Sequence, residues 1–257
     1  GRMYTDRQIV LYEYQKTRNA SHPREFLKDF KGICVTDGYQ VYHTIENERE
    51  DLKISGCWSH ARRRFDEAVK ALPKAARNGS RAYLALSMIQ TIYREEKLLK
   101  ELPSEERKLR RQLSVRPLVE AYFTWAKETI RKVPQKSKTW EGFQYSMNQE
   151  KYLKVFLDDG EVPMDNNAAE QSIRGFCIGK KNWVMIDTVA GAKSSAIIYS
   201  IAETAKANNL KPYDYFEHLL SEIPKHLDDT DRSFLDDLLP WSPKLPANCR
   251  KTGKEVK

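Results

Sequence analysis

The sequence predicts an α/β fold that a long helical segment divides into two parts. Three observations lead to this prediction. Strand-like and helix-like patterns alternate between residues 8 and 58, as they do in a sheet covered by helices. Helical periodicity and charge replace the strand signals between residues 59 and 155. Turn residues and a further strand-like run then return after residue 156.

The composition is that of a globular protein with many charges. The chain has 257 residues, of which 40% are hydrophobic and 31% charged, so a sizeable core is expected. It contains no apolar run of about eighteen residues and no signal-peptide pattern, so we expect a cytoplasmic protein with no membrane partner. The formal net charge of +8 favours polyanions such as nucleic acids. The cysteines are scattered, which indicates reduced thiols.

The N-terminal part predicts three strands separated by short helices. Residues 8–14 are rich in β-branched and aromatic types and predict the first strand. A helix with proline in its first turn covers residues 22–30. The second strand covers residues 33–36, and a short helix follows over residues 39–45. Residues 52–58 predict the third strand.

The middle of the chain carries apolar stripes at helical spacing. One stripe runs through residues 84–93 and another through residues 118–126, and Ser104 opens a charged helix between them. Residues 158–165 then predict a turn-rich loop, and a helix begins near Asn166 or Asn167.

The last part of the chain predicts one strand and two long helices. Residues 183–186 form the strand-like run, and the helices cover residues 191–208 and 212–223. The tail beyond is rich in proline and then in lysine. The predicted domains are a first part of the core (residues 1–58), a helical insertion (59–155), a second part of the core (156–226) and a partly disordered C-terminal extension (227–257).

Asp37 is the first candidate for a functional carboxylate. It follows the second predicted strand, and open α/β folds place their ligands at the carboxyl ends of strands. Gly38 allows a sharp turn directly after it. An Asp-Gly pair is also a common turn without any function, so both interpretations stay open.

A second candidate site lies where the helix near Asn166 begins. Asp165, Asn166 or Asn167 can accept hydrogen bonds from the first free N–H groups of this helix. Glu170 then falls in the first turns, and Arg174 follows one turn later on the same face. An ordinary capped helix with a surface ion pair is the alternative.

Two further motifs are less specific. Cys57 and His60 have the spacing of half a zinc site, but no second Cys/His pair has usable spacing, so we expect a structural role. Gly179 predicts a turn that presents Lys180 and Lys181, either for phosphate contact or as a solvated pair.

The combined motifs resemble the transposases of the insertion sequence 66 family. The similarity spans roughly residues 8–243, and its motifs occur in one order. They are His22-Pro23-Arg24-Glu25-Phe26-Leu27, Thr36-Asp37-Gly38-Tyr39, Gly56-Cys57-Trp58-Ser59-His60-Ala61-Arg62-Arg63, Asp165-Asn166-Asn167-Ala168-Ala169-Glu170, Lys180-Lys181-Asn182-Trp183, Tyr199-Ser200-Ile201-Ala202-Glu203-Thr204-Ala205-Lys206 and Leu238-Leu239-Pro240-Trp241. The set is specific, although no single motif is.

The resemblance implies a ribonuclease-H-like mixed sheet with a large all-helical insertion and an acidic triad of the DDE type. Asp37 matches the second acidic residue and Glu170 the third, and both are expected to bind Mg²⁺ or Mn²⁺. Cys57 and His60 match a Cys-x-x-His element that opens the insertion.

The resemblance also implies a DNA partner. The expected partner is double-stranded DNA, both as transposon ends and as target, bound by a homo-oligomer in the active state. The basic residues expected to contact it are Arg62, Arg63, Arg64, Arg174, Lys180 and Lys181.

The sequence departs from the family pattern at its beginning. The first acidic residue of the triad is expected upstream of residues 8–14, and Asp6 is no substitute because it stands in a turn-like stretch. We therefore expect an N-terminally truncated catalytic domain, incomplete in its sheet, with little strand-transfer activity of its own. The alternatives are a non-catalytic DNA-binding or dimerisation fragment, another metal-dependent nuclease, and a helical scaffold.

Overall fold

The computed structural model describes residues 7–183 and 186–251, without the side chains of residues 180–183. The chain forms two compact units. The first, called the central unit, comprises residues 18–167. The second, called the terminal unit, combines the described residues 7–17, 168–183 and 186–251. The assignment of segments to domains made from the sequence stays a prediction.

The sheet of the central unit has two parallel strands. These are β1 (Gly32–Val35) and β2 (Leu52–Ser55), with Ile33 opposite Lys53. Helix α1 (Ser21–Phe26) precedes β1, and α2 (Gln40–Asn47) connects the strands. A small core shared by the two strands and these helices contains Leu27, Ile45, Leu52 and Ile54.

The prediction of a ribonuclease-H-like mixed sheet is wrong. Within residues 7–183 and 186–251 the structure is mainly helical, and β1 and β2 are its two named strands. The run at residues 8–14 forms no strand. Trp183 ends a helix and does not begin a strand, and residues 184 and 185 lie outside the described part of the chain.

The rest of the central unit is a helical layer, as the middle of the sequence predicts. Its helices are α3 (Trp58–Ala71), α4 (Lys74–Arg77), α5 (Arg81–Leu98), α6 (Ser104–Arg110), α7 (Arg116–Thr129) and α8 (Lys138–Leu153). Short 3-10 turns cover Ile130–Lys132 and Val155–Asp158. A π-helical turn, Arg111–Val115, joins α6 to α7. It precedes Pro117, which has no N–H to donate to the carbonyl four residues earlier.

The core of this layer is aromatic and closely packed. Trp58, Phe65, Tyr122 and Phe143 are fully buried in it. An added Cβ at Gly142 would lie 2.8 Å from Phe65 Cε1, so α3 and α8 approach each other closely where Gly142 has no side chain. This contact fixes α8 beside the middle of α3.

The terminal unit contains longer helices and an extended N-terminal segment. The helices are α9 (Asn167–Trp183), which starts at the last residue of the central unit, α10 (Val189–Ala207), α11 (Pro212–Glu222) and α12 (Leu235–Leu238), with 3-10 turns at Ile223–His226 and Ala247–Cys249. Tyr215, Leu219 and Leu238 contribute to their small core. No described helix combines the length and the apolar character that a membrane span requires.

The segment predicted as the first strand runs along α10. The amide of Val10 donates to Thr204 Oγ1 over 3.0 Å, and the amide of Tyr12 donates to Ser200 Oγ over 2.8 Å. Side-chain hydroxyls of a helix thus replace the backbone of a neighbouring strand as partners. This pairing explains why a sequence with strand composition forms no strand.

Candidate functional site

Asp37 lies at the carboxyl ends of the two parallel strands. It stands two residues after the end of β1, and its side chain is exposed. Its Oδ1 accepts a hydrogen bond from the Tyr39 amide over 3.1 Å, so the carboxylate shapes the turn. Gly38, with φ of +86°, provides the left-handed conformation in that turn. The structure therefore shows both a turn residue and an accessible carboxylate where α/β sheets bind ligands.

Buried polar atoms without partners accumulate around the same strand ends. They are Thr36 Oγ1, Ser55 Oγ, Tyr145 OH and Gln149 Oε1, and none has a hydrogen-bond partner among the described residues. Two belong to the strand ends and two to α8. Unpaired buried polar groups are costly, and functional sites that bind an ion or water are one of the usual reasons for them.

The Cys57–His60 motif ties the end of β2 to the loop that leads to α9. Cys57 is buried directly before α3, and His60 lies in the first turn of that helix. The sulfur of Cys57 accepts from the Asn166 amide over 3.2 Å. The Trp58 amide donates to the Met164 carbonyl over 3.2 Å. Both the structural role expected of this pair and metal binding by it stay predictions.

Asp165 is one of the three residues that the sequence offers as a cap for α9. Its Oδ1 accepts from the Asn167 amide over 3.1 Å, and its Oδ2 accepts from the Asn167 side-chain amide over 2.8 Å. Tyr93, on α5, donates its hydroxyl hydrogen to the same Oδ2 over 3.1 Å. Burial, and then the charge of Asp165, raises the pKa of Tyr93, so the phenol keeps its proton. No local pattern marks Tyr93, which lies far from Asp165 along the chain.

Two buried arginines hold the loop before Asp165. Arg107 donates to the carbonyls of Leu99 and Gly160, and Arg111 pairs with Glu96. Arg111 also donates to carbonyls of the loop, namely those of Phe156, Asp159 and Val162. No motif in the sequence marks these two arginines, and sequence reasoning did not find them.

The Glu170 helix is longer than predicted. Glu170 lies in the first turn of α9, and Arg174 follows four residues later and is exposed. The turn expected at Gly179 is absent from the described chain, because α9 continues to Trp183. Lys180 and Lys181 are therefore on the helix backbone, and their side chains lie outside the described residues.

Asp37 and Glu170 belong to different units of the structure. Asp37 is part of the central unit, and Glu170 is part of the terminal unit. A metal site shared by these two residues therefore stays a prediction.

The arginine triplet lies at the start of α3. Arg62, Arg63 and Arg64 are all exposed. The Arg64 guanidinium carbon stands 4.5 Å from the centre of the Tyr145 ring, on α8. This cation–π contact brings a positive charge close to the buried polar atoms around Gly38.

Comparison with known protein families decides what kind of protein this is. The family model described as Transposase IS66 family matches residues 2–194, and the IS66 C-terminal element matches residues 200–241. The chain belongs to the IS66 transposase family. The first match contains Asp37, Cys57, His60 and the Asp165–Glu170 segment, so the resemblance seen in the motifs is confirmed.

Three relatives from Sinorhizobium fredii (strain NBRC 101917 / NGR234) are similar over nearly the whole chain. Uncharacterized protein y4qI is 28% identical over 93% of this chain and 44% of its own length. Uncharacterized protein y4jD is 26% identical over 91% of this chain and 45% of its own length. Uncharacterized protein y4hP is 26% identical over 90% of this chain and 43% of its own length. The transposase-family chain thus spans less than half the length of these relatives. No solved structure matches it.

Proposed function

We propose that this chain supplies two metal-binding carboxylates, Asp37 and Glu170, to a DNA transposase of the DDE type. The proposed reaction is cleavage of a phosphodiester bond at the end of an insertion sequence, followed by strand transfer to target DNA. The family membership of residues 2–194 supports the reaction class. The observation that carries the assignment of Asp37 is its exposed position at the carboxyl ends of two parallel strands.

The residues around Asp37 fit a hard divalent cation such as Mg²⁺ or Mn²⁺. Such cations prefer oxygen ligands and keep several waters when one or two carboxylates bind them. Asp37 offers an exposed carboxylate, and Tyr145 OH and Gln149 Oε1 are buried oxygens without a described partner beside its turn. When bound, divalent cations activate the attacking oxygen and stabilise the leaving oxygen of a displacement at phosphorus.

The residues of the chain would hold and orient the DNA. Arg62, Arg63 and Arg64 are exposed in one helical turn and suit contacts with the phosphate backbone. Arg174 lies one helical turn after Glu170 and would place a positive charge near the scissile phosphate. Lys180 and Lys181 are proposed for the same role. Phosphate contacts of this kind position the DNA and read little of its sequence.

The proposal is tested in a transposase of the relatives' length that carries this chain. Asp37→Asn and Glu170→Gln are assayed for Mg²⁺-dependent cleavage and joining of DNA with the ends of the element. Each substitution removes a charge from the proposed cation site, and we expect a loss on the order of 100-fold or more. Asp29→Asn, at another exposed aspartate of the central unit, is the matched control. Full activity in both carboxamide variants contradicts the proposal.

A non-catalytic DNA-binding or dimerisation role is the second candidate. The net charge of +8 and the exposed arginine triplet favour DNA binding without any chemistry. This role predicts binding that weakens steeply with salt and does not change when divalent cations are removed. Native mass spectrometry, which reports the number of chains in the particle, tests the dimerisation part and the homo-oligomer proposed for the active transposase.

A further inference from the structure

Two polar side chains of α8 approach the turn that carries Asp37. A Cβ added at Gly38 would lie 3.0 Å from Tyr145 OH and 3.4 Å from Gln149 Oε1. Tyr145 and Gln149 are four residues apart, so they lie on one face of α8. A side chain at this position would press on both oxygens, and the positive φ of Gly38 favours glycine independently.

Neither oxygen has a hydrogen-bond partner in the part of the chain that the structure describes. Gln149 is 7% exposed, and its Oε1 and the Tyr145 hydroxyl are buried. Leucine and phenylalanine would fill the same space without leaving a polar atom unpaired. Two unpaired buried oxygens beside one glycine therefore point to a partner outside the protein.

The chemistry of the two atoms limits what that partner is. Gln149 Oε1 only accepts hydrogen bonds, and the Tyr145 oxygen can accept one as well. Asp37, on the same turn, attracts cations and repels phosphates. A hydrated divalent cation meets all three conditions, because its waters present hydrogens outward.

Arg64 packs on the ring of Tyr145 and holds it beside the Asp37 turn. Its guanidinium carbon lies 4.5 Å from the centre of the Tyr145 ring and covers one face of it. Burial raises the pKa of Tyr145 to about 12, so its hydroxyl stays neutral and usable as a hydrogen-bonding group.

We propose that Tyr145 and Gln149 are positioning residues that bind the water shell of a divalent cation held by Asp37. The inference rests on the proposed function, since it takes Asp37 as a cation ligand. It adds two residues, on a helix far along the chain from Asp37, to the acidic residues that the family motifs mark. Groups that orient a metal's immediate ligands typically change its affinity by about 10–100-fold when they are replaced.

The test measures Mn²⁺ binding to this chain by calorimetry and thermal unfolding without metal. Tyr145→Phe and Gln149→Leu are each expected to weaken Mn²⁺ binding by about 10–100-fold. Their metal-free thermal midpoints are expected to stay unchanged or to rise, because each removes an unpaired buried oxygen. Gln144→Leu is the matched control, since Gln144 lies on the same helix and bonds Asn148 at the surface over 2.9 Å.

Asp37→Asn separates this inference from the proposed function. Loss of Mn²⁺ binding in Asp37→Asn, with unchanged binding in both Tyr145→Phe and Gln149→Leu, overturns the inference and leaves the proposed function standing. Unchanged Mn²⁺ binding in Asp37→Asn overturns both, and no Mn²⁺ binding to the unsubstituted chain overturns the inference. Lower thermal midpoints in the two α8 variants without weaker Mn²⁺ binding assign Tyr145 and Gln149 a purely structural role and also overturn the inference.

Discussion

Replacing Arg111 by methionine tests whether a buried guanidinium holds the loop that leads to Asp165. The Arg111 side chain is fully buried, and its Nε lies 3.1 Å from both carboxylate oxygens of Glu96. Its Nη1 donates to the carbonyls of Phe156 over 2.7 Å and of Val162 over 2.9 Å. Methionine has a side chain close in length to the aliphatic part of arginine, and it donates no hydrogen bond.

The expected cost follows from the burial of the ion pair. Removing one partner of a buried pair costs about 3–5 kcal/mol, because the other charge stays behind without compensation. The Glu96 side chain is 13% exposed, so water relieves part of this cost, and we expect about 3–4 kcal/mol. For a chain of this size, each kcal/mol lowers the thermal midpoint by about 2–4 °C, so Arg111→Met should lower it by about 6–16 °C.

The assay is urea unfolding followed by tryptophan fluorescence, which reports on the buried Trp58, with thermal melts in parallel. Arg110→Met is the matched control, because Arg110 is the exposed residue directly before Arg111, at the end of α6. If the free energies of unfolding of the two variants agreed within about 0.5 kcal/mol, the reasoning about a buried, loop-holding cation would be refuted.

Three further predictions concern other described residues. Gly160→Ala should lower the free energy of unfolding in urea by more than about 2 kcal/mol, because a Cβ at residue 160 would lie 1.9 Å from the Ser104 carbonyl oxygen. An alanine variant with an unchanged free energy of unfolding would contradict this close approach. Burial lowers the pKa of His43, so its folded-state pKa lies below the unfolded one. Neutral His43 therefore contributes stability that is complete above the unfolded pKa of about 6.5 and is lost as the pH falls below it. The free energy of unfolding of His43→Phe should depend less on pH between about pH 7 and 5 than that of the unsubstituted chain. Tyr93→Phe should lower the free energy of unfolding by about 1 kcal/mol, and by much less when Asp165 is already alanine. A double-mutant cycle measures this difference, and additive effects of the two substitutions would exclude a coupling between Tyr93 and Asp165.

Local patterns predict the parts of the fold whose partners are close along the chain. The strand before Asp37 was predicted, and Asp165 was one of three candidates for the helix cap, since a glycine turn and an Asn-rich helix start are read from a few residues. The segment at residues 8–14 has the composition of a strand, yet its amides bond hydroxyls of α10 that lie 188 or more residues away. Nothing in the local pattern states whether an extended segment pairs with a strand or with a helix.

The same limit applies to the candidate site. Asp37, Glu170 and Asp165 are part of motifs, whereas Tyr93, Tyr145 and Gln149 occur in helices whose sequence is ordinary. Their roles follow from contacts across the helical layer, which periodicity alone does not assign. Gly179 shows the opposite error, because a glycine within a helix was interpreted as a turn.

Cleavage of the polypeptide by bound Fe²⁺ tests most directly whether Asp37 and Glu170 hold the same cations. Fe²⁺ with ascorbate and peroxide produces radicals that cut the backbone next to the metal, and mass spectrometry locates the cuts. The account predicts cuts near both residue 37 and residue 170, suppressed by excess Mg²⁺ and lost together in Asp37→Asn. Cuts near one of these positions alone, or cuts that persist in Asp37→Asn, would contradict it.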